Sequence, residues 1–218
     1  MPKDFGRSAT KQYYAGRIKK AAKSLEAKGY DVITVESGDE AAKKVLELVP
    51  DGGSVGLGGS VTTRQLDLIE TLEKKGHKVF DHWKAGLSKE EVTAARRGQL
   101  TSDVFVLSVN ALTLEGEIVN IDATGNRVAA SIYGPKRVVF VVGGQKIVDD
   151  LDGAFYRAKF VAAPINSTRL NLKTPCAYTG ECNDCDSPGR ICNVTVVFDC
   201  KPTGTPMTVI LVGEELGY

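Results

Sequence analysis

The stretch Ser54–Lys75, SVGLGGSVTTRQLDLIETLEKK, decides the fold. It reads as a short strand, Ser54-Val55-Gly56, running into the glycine turn Leu57-Gly58-Gly59-Ser60. A helix then extends from Thr63 to Lys75, carrying Leu66, Ile69 and Leu72 on one face and stopping at Gly76. A strand, a glycine turn and an amphipathic helix form one half of a βαβ unit, and the same alternation continues on both sides. Upstream, Lys11–Lys28 is rich in helix formers and ends at Gly29, Asp31–Glu36 is strand-like, and Asp39–Val49 is a helix stopped by Pro50. Downstream, His77–Phe80 is a strand, and Ser88 with Glu91 has the spacing of a capping box opening a helix to about Gly98.

Asp103–Val109, DVFVLSV, is almost wholly apolar, as expected of a strand buried on both faces of a parallel sheet. Glu117–Ile121 and Arg137–Val142 continue as strands, with a short helix within Ala123–Tyr133 between them. Asp149–Ala163 is a helix expected to end before Pro164, and Val194–Asp199 and Met207–Val212 close the chain as strands. The pattern predicts an α/β fold: a mostly parallel sheet with helices on both faces and a cysteine-bearing loop before the last strands.

Composition narrows the function classes. With 218 residues, 42% hydrophobic and 25% charged, the chain has the makeup of a folded domain with one core, which excludes disordered and fibrous classes. A formal net charge of +1 supplies no global field for nucleic acid or anionic lipid. Met1–Thr10 lacks the apolar run of an export signal and the apolar stretches elsewhere are strand-sized, so a soluble, cytoplasmic protein without a membrane span is expected.

The glycine turn is the first candidate site. Gly56, Gly58 and Gly59 allow backbone N–H groups to face a ligand, and the hydroxyls of Ser60 and Thr62 suit a phosphate or carboxylate, with Arg64 close by. The alternative is a plain tight turn with Thr62 or Thr63 as a cap. Polar residues also crowd the exit of the Asp103–Val109 strand: Asn110, Glu115, Asn120, Asp122, Asn126 and Arg127, with Lys146 beyond the Arg137–Val142 strand. In open α/β sheets that edge is where ligands bind, so these residues are candidates for a shared crevice. Asn120 and Asp122 bonding loop backbone, and Glu115-Gly116 forming a hairpin turn, are the simpler alternatives.

All five cysteines lie between Cys176 and Cys200. Cys176, Cys182, Cys185 and Cys192 are spaced C-x5-C-x2-C-x6-C in a polar loop without periodicity, which points to an iron-sulfur cluster, to structural zinc, or to free or disulfide-bonded thiols. Cys200 reads as a small buried side chain, and His77 and His82 as surface or core residues rather than ligands.

These segments, with Gly125-Asn126-Arg127-Val128-Ala129, Gly134–Gly143, Thr174-Pro175-Cys176 and Arg190–Val194, resemble the LUD-domain family, named for lactate utilisation, over nearly the whole chain. The resemblance implies the fold of ribose-phosphate isomerases, glucosamine-phosphate isomerases and coenzyme A transferases, with Gly56–Ser60 as the phosphate-binding loop. It also implies an accessory role in oxidation of lactate or a related hydroxy acid beside iron-sulfur oxidoreductase partners, and fold analogues suggest a homo-oligomer. An Asp found in similar isomerases at the end of this strand corresponds to Asn110, whose amide cannot act as a carboxylate base. The expectation is therefore a small anionic metabolite held by Gly56, Gly58, Gly59, Ser60, Thr62, Asn110, Asn120, Gly125, Asn126 and Arg127. The alternatives are a sugar-phosphate isomerase or coenzyme A transferase-like enzyme, with Glu115 or Asp122 as acid-base group, Glu115 by resemblance to the transferases as nucleophile, and Lys146 as electrostatic stabiliser, or a metabolite-binding regulatory module.

Overall fold

A computed structural model describes residues 6–218. The first half of the chain contains α1 (Arg7–Ala27), β1 (Asp31–Val35), α2 (Gly38–Glu47), β2 (Ser54–Leu57), α3 (Val61–Gln65), α4 (Leu68–Lys74), β3 (Lys78–Phe80) and α5 (Lys89–Gln99). Then come β4 (Val104–Leu107), β5 (Ala111–Thr113), β6 (Ile118–Asp122), α6 (Asn126–Ile132), β7 (Arg137–Gly143) and β8 (Ile147–Val148). The remainder holds α7 (Leu151–Tyr156), α8 (Ala163–Arg169), α9 (Pro175–Thr179), β9 (Val194–Phe198) and β10 (Met207–Val212).

Six strands form a sheet in the order β1-β10-β7-β4-β2-β3, every pair parallel. Its strands alternate inward residues between two cores. Phe105, Leu107, Phe140 and Leu211 pack with Ile18, Ala21 and Leu25 of α1 and Ala130 of α6. Val104, Val106, Val139 and Val141, on the other face, pack with Ala41 and Val45 of α2 and Leu68 and Leu72 of α4. Helices on both faces explain why β4, β7 and β10 are apolar almost throughout. The capping box at Ser88 and Glu91 is formed and starts α5. No helix among the described residues is long and apolar enough to cross a membrane.

Several expectations are corrected. Thr63–Lys75 is two helices, not one: Asp67 takes a left-handed φ of 47° between α3 and α4. Leu66 and Leu68 are both buried, yet residues two apart cannot share a helical face, so the chain breaks to bury both. The Glu117–Ile121 and Val194–Asp199 strands do not join the parallel sheet. They form β6 and β9 of a second sheet, ordered β8-β5-β6-β9, because the turn at Gly116 (φ 87°) reverses the chain and sets β6 antiparallel to β5. Pro164 does not end its helix: a π-helical stretch, Arg157–Ala162, precedes it, and its widened turn accommodates a residue without an amide hydrogen at the start of α8. The cysteine loop opens with the short helix α9, and Cys200 is exposed rather than buried, because it lies beyond the end of β9 in the polar connection to β10.

Candidate functional site

All six sheet strands run the same way, so the residues that follow each one meet at a single edge. The chain leaves β2 outward to β3, while β4 lies on the other side of β2, and the loops after β2 and β4 therefore diverge. A divergence of this kind opens a crevice at the carboxyl end of an α/β sheet. A cleft of about 260 Å³ lies there. The loop after β2 supplies Gly59, Ser60 and Thr62, and the loop after β3 supplies His82 and Trp83. Ser108 and Asn110 come from the loop after β4, Lys146 follows β7, and Gly217 and Tyr218 follow β10.

Lys146 is 3% exposed, and its Nζ donates to Thr62 Oγ1 (2.8 Å) and Ser108 Oγ (3.0 Å). Among the described residues no carboxylate pairs with it. Burial, reinforced by the positive charges of Arg157 and Arg127, pulls its pKa down to about 7. Arg157, on the π-helical stretch, is also buried and donates only to backbone carbonyls, those of Gln145 (3.2 Å) and Asn110 (2.5 Å); burial pulls it down to about 10. Gly217, at φ 67°, covers the amine closely: a Cβ there would stand 3.1 Å from Lys146 Nζ and 2.4 Å from Thr62 Oγ1.

Arg127 organises the opposite wall. Its Nε donates to Asp122 Oδ2 (3.2 Å), one terminal nitrogen to Asn120 Oδ1 (2.7 Å) and Ser108 O (3.3 Å), and the other to Ile121 O (2.6 Å) and Asn110 Oδ1 (3.2 Å). All five guanidinium donors are thereby occupied. The hub carries charge to the cleft while its hydrogen bonds hold loops. Asp122 also accepts from the backbone N–H groups of Thr124 and Gly125, so it serves its own turn.

Trp83 forms the rim, packed on Gly59 and flanked by Arg64 (5.1 Å to the ring centroid) and Arg169 (4.5 Å). Arg64 pairs with Asp81, which removes it from the ligand role. Burial, aided by the charge of Arg96, pulls the pKa of His82 below its ordinary value. Among the described residues, Arg96 Nε is buried without a hydrogen-bond partner.

Of the candidates read from the sequence, Gly59, Ser60, Thr62, Asn110, Asp122, Asn126, Arg127 and Lys146 line the cleft. Ser60 caps α3, accepting from Thr63 N (3.5 Å), so the capping alternative also applies, with Ser60 as the cap. Asn120 lies behind the wall as an acceptor for Arg127 and for Asn110 N. Gly125 is the turn before α6, with φ 87°. Glu115 is elsewhere: exposed on the β5–β6 turn, it pairs with Lys20 (3.3 Å). Gly56 and Gly58 are packing positions. A Cβ on Gly56 would meet Ser102 Oγ at 2.9 Å and Gln99 Cα at 3.0 Å, which is how α5 approaches β2. Gly56→Ala should therefore cost about 1–3 kcal/mol in urea denaturation and leave anion binding unchanged.

His82, Trp83, Arg96, Asn166, Arg169 and Tyr218 were not singled out as site residues from the sequence, yet they line the cleft. Their local signals are weak, since each is one polar or aromatic residue in a loop or helix whose position at the edge depends on strand order.

The LUD domain family model matches residues 18–212, most of the chain. The chain belongs to the LUD-domain family. No curated protein matches it. Among solved structures, this LUD protein is similar to a DUF162 family protein from Deinococcus radiodurans, with 13% identity and a TM-score of 0.54 over 91% of this chain and 98% of that one. At that identity the likeness speaks to the fold, and the site geometry of this LUD protein stands on its own residues.

The four loop cysteines of this LUD protein, Cys176, Cys182, Cys185 and Cys192, line a second, small cavity together. Among the described residues, no three His, Cys, Asp or Glu side chains converge so as to hold a metal ion.

Proposed function

We propose that this LUD protein binds a small anionic metabolite, a carboxylate or phosphate, in the cleft, and serves the oxidation of lactate or a related hydroxy acid as an accessory component. The observation that carries the reading is the charge of the cleft wall. Among the described residues Arg96, Arg127, Lys146 and Arg169 line it against one side-chain carboxylate, Asp122, and the buried Lys146 ammonium has two hydroxyls as its hydrogen-bond partners. A buried cation without a counter-charge is costly, and an anion entering the cleft supplies what the fold omits. The cleft, at about 260 Å³, has room for such a molecule. The hydroxy-acid context rests on membership of the LUD family.

Trp83 is the single tryptophan and lies on the cleft rim, so its fluorescence reports occupancy. Titration with L-lactate, pyruvate or inorganic phosphate should change it saturably. Affinity should fall as pH rises above about 7, where the Lys146 ammonium loses its proton. Absence of both a fluorescence change and a calorimetric heat with all three anions at millimolar concentration overturns the reading.

A further inference from the structure

The cysteine loop is polar and largely without regular structure, yet its thiols turn inward. Glu181, Asn183, Asp184 and Asp186 are exposed, while Cys182, Cys185 and Cys192 are half-buried and Cys176 is buried. All four thiol-bearing residues face one cavity, joined by Lys159 and Arg190. Arg190 ties the loop into this shape, donating to the carbonyls of Cys185 (2.6 Å) and Cys192 (3.1 Å) and to Asp184 (3.1 Å). Two hydroxyls already attend one sulfur: Thr174 Oγ1 lies 3.4 Å and Ser167 Oγ 3.6 Å from Cys176 Sγ.

From this convergence of four thiols on one cavity beside the cleft, we infer that Cys176, Cys182, Cys185 and Cys192 ligate an iron-sulfur cluster, with Cys192 as its corner toward the anion site. Four soft thiolates saturate such a cluster, and Lys159 and Arg190, which share the single carboxylate of Asp184 at the cavity, leave a net positive charge to oppose a thiolate-bound centre. A single zinc ion requires all four sulfurs within about 2.3 Å of one point. Among the described residues no three such side chains close on a single ion, whereas all four cysteines line one cavity, which favours a polynuclear centre over zinc. The hydroxyls of Thr174 and Ser167 beside Cys176 supply outer contacts that tune a cluster. Ala163, Ile191 and Cys192 line both the cysteine cavity and the cleft, so the two sites share a wall. The cluster itself is independent of the anion reading, whereas its orientation toward a ligand rests on that reading.

The test uses the full chain, purified and reconstituted anaerobically with ferrous iron and sulfide. Iron and acid-labile sulfide in equal amounts, with a visible absorption band bleached by dithionite, are expected. Zinc without sulfide, disulfides, or no bound metal after reconstitution overturns the inference. Cys182→Ser should lose the iron, whereas Cys200→Ser, outside the cavity, should keep it. If Cys182→Ser does not fold, the wild-type analysis decides alone. Saturating L-lactate or phosphate should shift the paramagnetic resonance spectrum of the reduced cluster. A bound anion detected by calorimetry with an unshifted spectrum overturns the role of Cys192 as the facing corner. Iron and sulfide present with no calorimetric binding overturns the anion reading and leaves the cluster standing.

Discussion

Lys146→Met is expected to lower the affinity of the cleft for L-lactate or phosphate by at least about thirty-fold, the equivalent of losing roughly 2 kcal/mol from a buried charge contact. Methionine keeps the length and volume of the stem and removes only the charge and donors, so the change reports the ammonium itself. The same substitution should leave stability at pH 7 unchanged or raised, because the folded protein then no longer buries a cation bounded by Arg127, Arg157 and two hydroxyls.

The pH dependence follows with a definite sign. The amine has a pKa of about 7 in the folded protein and 10.5 in the unfolded chain, so between those values the unfolded chain holds more protons. Stability therefore rises with pH across that window, by up to about 1.4 kcal/mol per pH unit from this group. Below about pH 7 both states are protonated and the full cost of burying the ammonium is present. Urea midpoints measured from pH 7 to 10.5 should climb less steeply in Lys146→Met than in the wild type. Equal slopes in the two proteins would show that Lys146 is hydrated in the fold and not held as described.

Arg127→Met is expected to destabilise the protein by about 3–5 kcal/mol, the cost of breaking a buried pair and leaving its acid uncompensated. Five acceptors would each lose a donor at once: Asp122 Oδ2, Asn120 Oδ1, Asn110 Oδ1 and the carbonyls of Ser108 and Ile121. Asn120 is fully buried, and its Nδ2 already lacks a partner among the described residues, so further loss there is not repaired by solvent. Arg127→Lys should recover little, since one ammonium cannot reach five acceptors in a planar fork. Asp122→Asn placed on Arg127→Met should restore part of the stability by removing the stranded charge. A urea midpoint for Arg127→Met within about 1 kcal/mol of wild type would overturn the hub.

The division between what was legible and what was not follows the range of each interaction. Strand, glycine turn and helix within Ser54–Lys75 depend on neighbours a few residues apart, so propensity and periodicity disclose them. The break at Asp67 does not disclose itself, since it arises from burying Leu66 and Leu68 against a sheet whose strands come from distant parts of the chain. The passage of a helix through Pro164 likewise depends on a π turn whose Arg157 reaches across to Asn110 and Gln145.

At the site the same limit applies. Asn110, Asp122, Asn126, Arg127 and Lys146 could be nominated because they follow apolar strands, and ligands gather at that edge. Glu115 met the same criterion, but the hairpin turn carries it away to Lys20. Trp83, Arg169 and Tyr218 come together only because parallel pairing gathers the ends of β3 and β10 at one edge and α8 lies over it. The α/β alternation, the family, the cysteine spacing and the polar strand exits are all legible from residue order, since each is written in local pattern. Strand order, the second sheet, the burial of Lys146 between Thr62 and Ser108 and the wall shared by cleft and cysteine cavity belong to the tertiary structure, because each depends on which distant segments pack together and exclude water.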